Sequence, residues 1–261
     1  MKKLTALLLA LSIAFLLLFT ACKNESGEIE EENTFTTIPV TDAKEEELEP
    51  GLPTLTGDDS GIEYSNPVDF ESLQFENREA YAFIMVPNTN IAYPILQSTI
   101  DDNYYLRRDI NGKSDYCGSI FTQSCNSKDF DDPVTVIYGH NTDKGNYFSE
   151  LISFEDKEFF NRNDTFYIFT PGRILVYQIL SCHTYDTRHI MNSYDFSNPN
   201  VFAKFCEEIL NPTSMQRNVR AGTALYSDSN IVVLSTCSKP SSRSSERFLV
   251  NGVLIKDVPT Q

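Results

Sequence analysis

Residues 166–181, FYIFTPGRILVYQILS, are two runs rich in aromatic and β-branched side chains, joined by Pro171 and Gly172. A Pro-Gly pair sets a tight turn, so the runs are expected to fold back on each other as an antiparallel hairpin. The same kind of signal recurs on both sides. Upstream, Tyr81 to Val86 is stopped by Pro87, PNTN reads as a turn before Ile91 to Leu96, and Gly118 to Thr122 and Val134 to His140 follow. Downstream, IVVLSTC ends at Cys237 and RFLVNGVLI starts at Arg247. About eight short strands with turn residues between them predict a mainly β domain, a closed or nearly closed eight-stranded barrel.

One helix precedes this pattern and two interrupt it. Asn66 and Pro67 are a cap and first-turn pair for a helix to about Asn77. NYFSELISF, after His140, carries Phe148, Leu151 and Ile152 at helical spacing. Asn198 and Pro199 open a longer helix between the sixth and seventh strands, closed by Asn211 and Pro212. Its Val201, Phe202, Phe205, Cys206, Ile209 and Leu210 form one core-facing stripe.

The 261-residue chain carries a net charge of -16, which argues against a nucleic-acid partner. Much of the acid lies between Lys23 and Glu63, in runs such as Glu30 to Glu32 and Glu45 to Glu47. With few apolar residues, this stretch is expected to be an extended, self-repelling tether. Lys2 and Lys3, the apolar run Leu4 to Ala21 and the closing Cys22 form an export segment, so the chain is expected to work outside the cytoplasm. The organisation expected is therefore a signal or anchor (1–22), an acidic tether (23–63) and one folded domain (64–261).

Cys237, His140 and Arg247 stand at the ends of three of these strands. A thiol nucleophile, a proton carrier and a cation for an oxyanion are what covalent acyl transfer requires. Singly, each has a plain structural explanation; three together on strand ends of one barrel are a site. Ser235 shares the face of Cys237 by the strand period of two, and Thr236 points the other way. Cys206 belongs to the helical stripe, and Cys117, Cys125 and Cys182 are left unassigned. His183, near a strand end, reads as structural, and His189 lies in a polar loop with no evident partner. Asp129, Asp131 and Asp132 read as a solvated turn without the form of an EF-hand loop. No metal or organic cofactor is required.

The composite of YGHN, then LSTC, then an Arg at the start of the following strand resembles the sortase family of cysteine transpeptidases. VPNTNIAYPILQSTIDDNYYL, the preceding helix, the YFSEL segment and the long helix resemble the class B members, over Pro67 to about Ile255. The resemblance implies a sortase-type barrel in which Cys237 attacks the carbonyl after a Thr in a C-terminal sorting signal. His140 would move the proton between leaving and incoming amines, and Arg247 would hold the peptide and its oxyanion. Asn103 and Leu106 would border the peptide cleft together with Ser235. The partners implied are surface proteins with LPxTG-like or NPxTN-like signals and an amine of peptidoglycan or its lipid-linked precursor. The place implied is the extracytoplasmic face of the membrane of a Gram-positive-type bacterium. FTAC resembles a lipobox with Cys22 as the lipidated residue, although Phe19 stands where Leu is usual; the alternative is an uncleaved anchor of roughly 18 residues. A wall-peptide-binding lipoprotein without turnover and a thiol protease are the competing functions.

Overall fold

The computed structural model describes residues 52–55, 61–240 and 244–261. The segment read as an export signal, with Cys22, and most of the expected tether lie outside them. No helix among the described residues is long and apolar enough to cross a membrane.

The strands are β1 (Ala80–Met85), β2 (Ala92–Leu96), β3 (Ile120–Phe121), β4 (Val134–Tyr138), β5 (Thr165–Thr170), β6 (Arg173–Tyr185), β7 (Arg217–Val219), β8 (Ile231–Cys237) and β9 (Arg247–Pro259). They pair in the order β5-β1-β2-β3-β4-β8-β9-β6, and β5 also pairs with β6, so eight strands close on themselves. Closure removes the sheet edges that an open sheet would expose. The wall is thinnest at β3, which contributes two residues and meets β4 only at Phe121 and Tyr138. The hairpin forms as expected, with Thr170 opposite Arg173 and Gly172 at φ +89°, the left-handed conformation that the second position of a Pro-Gly turn needs.

The ninth strand, β7, was not expected. Its three residues, Arg217 to Val219, are largely exposed and carry no hydrophobic alternation; they are held by pairing with Ser181 to His183 of β6. It lies outside the closed ring, so the eight-stranded barrel stands.

Alternation along β8 sorts the core. Val232 and Leu234 point into the lumen with Phe166, Ile168, Leu175, Tyr177, Phe248 and Val250. Ile231 and Val233 point outward to the long helix α4 (Pro199–Leu210). Each such fully buried side chain contributes roughly 1.5–3 kcal/mol. Phe148, Leu151, Phe154 and Phe160, from a 3-10 turn (Ser149–Glu155) and the short helix α2 (Lys157–Arg162) with their flanking residues, join the lumen cluster. The NYFSELISF segment is thus mostly 3-10 rather than α-helical, with Ile152 only half-buried. On another outer face, helix α1 (Phe70–Glu76) buries Phe70 and Leu73 with Phe83, Phe121 and Phe169.

Two caps contrast. Asn198 accepts from the Asn200 amide and Pro199 is the first residue of α4, as expected. Helix α1 instead starts at Asp69, whose carboxylate accepts from Ser72 N at 3.0 Å and Ser72 Oγ at 2.6 Å. Asn66 donates to Thr170 O and accepts from Val68 N, tying the entering chain to the barrel three residues before the cap.

A bulge in β6 decides what faces the site. Leu175, Tyr177 and Ile179 point inward, but the register against β9 shifts between Ile179 and Ser181, after which Cys182 is the inward residue. An extra residue in one strand re-aims everything beyond it. His183 and Tyr185 therefore face outward, opposite Leu249 and Arg247.

Candidate active site

Cys237 closes β8 and Arg247 opens β9, and the two are direct cross-strand partners. Ser238 N donates to Glu246 O at 3.2 Å. The next pair inward, Cys237 with Arg247, is by alternation of the non-hydrogen-bonded kind, in which opposed side chains stand closest. On the other side of β8, the parallel strand β4 sets Tyr138 beside Ser235. Gly139 N continues the ladder to Ser235 O at 3.1 Å, and Asn141 Nδ2 donates to Cys237 O at 3.0 Å. His140 lies between these two anchors, beside the end of β8. Two rows thus cross the outer face in register: Tyr185, Arg247 and Cys237, and below them His183, Leu249, Ser235 and Tyr138.

The Cys237 thiol is free and half-buried. Arg247 donates through Nη1 to Ser244 O and Glu246 O at 3.4 and 3.3 Å and forms no ion pair among the described residues. Its charge is available to an anionic ligand. His140 Nε2 lies 2.8 Å from Leu106 O. A carbonyl can only accept, so Nε2 carries the proton and Nδ1 is the titrating nitrogen. Burial pushes the imidazole below its ordinary value, the Leu106 bond works the other way, and Arg107 pushes it further down.

Gly139 holds this arrangement sterically. A Cβ there would stand 2.4 Å from Ile120 Cδ1 and 2.7 Å from the Phe148 ring. Phe148 N donates to His140 O, so the ring is coupled to the histidine backbone. Gly139→Ala is expected to cost about 1–3 kcal/mol in a denaturant titration and to lower turnover at least tenfold, as overpacked cores do and as a displaced His140 requires.

Of the residues expected to border the cleft, Leu106 is 38% exposed and meets His140 through its carbonyl. Ser235 is on the face of Cys237 but nearly buried between Tyr138 and Leu249. Asn103 is exposed and accepts from Gln123 Nε2 at 3.3 Å. Gln123 Oε1 in turn accepts from His189 Nε2, and the His189 ring is 6.2 Å from that of Tyr138. His189 therefore does have partners: its Nδ1 accepts from Asn192 N and caps the short helix α3 (Ile190–Ser193). Asn141, Gln123 and Tyr138 carried no signal of their own in the sequence beyond the adjacency of Asn141 to His140. Of the polar loop after Cys237, residues 241–243 lie outside the described part.

The acidic turn is accounted for by its own bonds. Asp132 accepts from Asn126 and Ser127, Asp129 from Ser127 and Asp131 N, and Asp131 lies 3.6 Å from Arg173. Cys117, Cys125, Cys182 and Cys206 are all free thiols.

His183 is buried, and its pKa is pushed down to about 4 by that burial. The folded value lies below the unfolded value near 6.5, so the unfolded chain takes up the proton first. The stability contributed is fully present above about pH 6.5 and lost as pH falls toward 4, a loss of roughly 3 kcal/mol. Denaturant titrations from pH 7 to 4 are expected to show this fall, and His183→Gln to flatten it.

The Cys237 thiol, the His140 imidazole and the Arg247 guanidinium, which has no ion pair among the described residues, thus stand at neighbouring strand ends of a closed barrel, a set suited to covalent acyl transfer. The family model for the sortase domain matches residues 84–255, and the chain belongs to the sortase family. Sortase B of Listeria monocytogenes is 27% identical over 187 residues, covering 72% of this chain and 74% of that protein. The crystal structure of Clostridium perfringens sortase B matches with a TM-score of 0.64 at 27% identity, covering 72% of this chain and all of that one. Sortase B of Bacillus anthracis matches at 0.62 and 30% identity, covering 72% and 84%. The relatives are thus class B sortases, and the fold is theirs.

Proposed function

We propose that the chain cleaves a C-terminal sorting signal after Thr and joins the new carboxyl end to an amine of peptidoglycan or its lipid-linked precursor. The observation that carries this reading is the cross-strand pair of Cys237 and Arg247 with His140 at the end of the next strand. The Cys237 thiolate adds to the Thr carbonyl carbon, and Arg247 faces the resulting oxyanion. His140 gives its proton to the departing amine, the C–N bond breaks and a thioester remains. An incoming amine adds to that thioester, its proton passes to His140, and the C–S bond breaks. The depressed affinity of His140 for protons makes the imidazolium a minor form at neutral pH. Leu106 and Asn103 border the peptide cleft and Ser235 forms its floor.

The substrates in this reading are surface proteins with LPxTG-like or NPxTN-like signals. The enzyme works at the extracytoplasmic face of the membrane of a Gram-positive-type bacterium, held there by a lipid on Cys22 or by the uncleaved apolar segment, with residues 23–63 as the spacer.

The test is a peptide panel carrying both kinds of signal, incubated with the protein and triglycine amide. The expected products are a peptide ending at Thr-Gly-Gly-Gly amide and the released tail. Cleavage at internal sites of unrelated peptides, without transfer, would contradict the reading.

A further inference from the structure

On the far side of Arg247 from Cys237 lies a second groove of about 920 Å³, between the end of β6, the C-terminal half of α4 and Glu246. His183, Tyr185 and Leu249 in its wall are members of the two cross-strand rows that contain Arg247, Cys237 and Ser235, so the groove runs up to the catalytic row. Its charge is acidic. Asp186, Glu208 and Glu246 line it against Arg188 as the one cation, and Arg188 is spent on Asp186 at 2.8 Å. Glu208 accepts from Tyr194 OH through Oε2 and lies 3.8 Å from Lys204 Nζ through Oε1, an exposed pair, and Glu246 is exposed with no ion pair among the described residues.

An independent polar group faces the same space. His183 is only 7% exposed and lines the groove. Asn251 Nδ2 reaches both Ser181 Oγ at 3.1 Å and His183 Nδ1 at 3.4 Å. Ser181 Oγ donates to Ile209 O, so it must accept from Asn251, and the amide donates to Nδ1 as well. The ring proton then sits on Nε2, which has no hydrogen-bond partner among the described residues. A nine-tenths buried N–H donor, the unpaired Glu246 carboxylate and a Glu208 carboxylate held only by one hydroxyl and a weak exposed ion pair fit a ligand with a carbonyl at one end and a cation at the other.

We infer that this groove receives the amine acceptor as an ammonium-bearing peptide, Glu246 and Glu208 drawing in the amino group and the His183 Nε2–H holding a carbonyl. This rests on the transpeptidase reading. The amino group, once deprotonated, adds to the thioester carbonyl; the C–N bond forms, the C–S bond breaks, the electron pair returns to the Cys237 sulfur, and the nitrogen's second proton passes to His140. The two substrates would then flank Arg247, the acyl donor on the β4 side and the acceptor on the β6 side.

The experiment measures the ratio of transfer to hydrolysis of the thioacyl enzyme for wild type, Glu246→Gln and Glu208→Gln/Glu246→Gln. Gln at 208 keeps an oxygen for Tyr194. The acceptors are triglycine amide, cationic and peptidic, and hydroxylamine, small and largely neutral at pH 7.5. For triglycine amide the ratio is expected to fall about fivefold in the single variant and further in the double, the size of a lost rim charge. For hydroxylamine it is expected to stay within about twofold, because a neutral two-atom nucleophile draws nothing from the carboxylates. Equal falls for both acceptors, or no fall for either, would overturn the inference. Failure of wild type to form any thioacyl enzyme would instead overturn the transpeptidase reading.

Discussion

Cys237→Ala is expected to lose turnover to below about a thousandth of wild type while keeping the fold. The side chain is half-buried on the outer face and belongs to none of the buried hydrophobic clusters. What the rest of the site takes from this position is its backbone: the carbonyl accepts from Asn141, and the residue pairs with Arg247. Alanine preserves both. Thermal unfolding should therefore shift by no more than a few degrees, within the roughly 0.5 kcal/mol typical of positions outside the core. Activity above a thousandth of wild type would remove Cys237 as the nucleophile, whatever the family. Loss of the fold in the same variant would leave the site intact as a proposal but contradict the packing described.

Arg247→Lys is expected to lower turnover by about two to three orders of magnitude, the usual size of a lost oxyanion donor. Charge is conserved in this variant, so the loss isolates geometry. The guanidinium rests Nη1 on the Ser244 and Glu246 carbonyls, leaving its remaining donors as a planar fork without a partner among the described residues. An ammonium has neither the reach nor the plane to do both. The effect should appear mainly in kcat with a smaller change in KM, because the oxyanion exists only in the tetrahedral states. A near-normal rate would remove Arg247 from the chemistry and leave it a strand-end cation.

The barrel was legible because its strands are announced by aromatic and β-branched runs with Pro and Gly between them, and because Pro171-Gly172 admits little but a hairpin. The long helix was legible to the residue, since Asn198, Pro199 and Asn211 each act through local backbone chemistry. What escaped was set by tertiary context. Asn66 has the composition of a cap, but Asp69, three residues on, caps α1 while Asn66 is spent on Thr170 of a distant strand. Strand β7 has no hydrophobic pattern because it is a three-residue appendage of β6.

The bulge in β6 has the same origin. Nothing local marks Leu180 and Ser181 as the place where the inward set changes, yet this shift turns His183 and Tyr185 toward the catalytic face. Cys237, Arg247 and His140 could be placed together because strand ends cluster at one mouth of a barrel. The Leu106 carbonyl that fixes the tautomer of His140, and the Asn141 bond across to Cys237, come from a loop fold that no spacing encodes.

The central claim is a covalent bond between the Cys237 sulfur and a peptide cut after Thr. Intact-protein mass spectrometry of the chain from Tyr64 onward, incubated with the sorting-signal peptides and no amine, tests it most directly. The expected result is a mass increase equal to a peptide truncated after its Thr, lost on adding triglycine amide and absent in Cys237→Ala. No adduct and no cleaved peptide across both kinds of signal, with Cys237 still open to a thiol reagent, would contradict the claim.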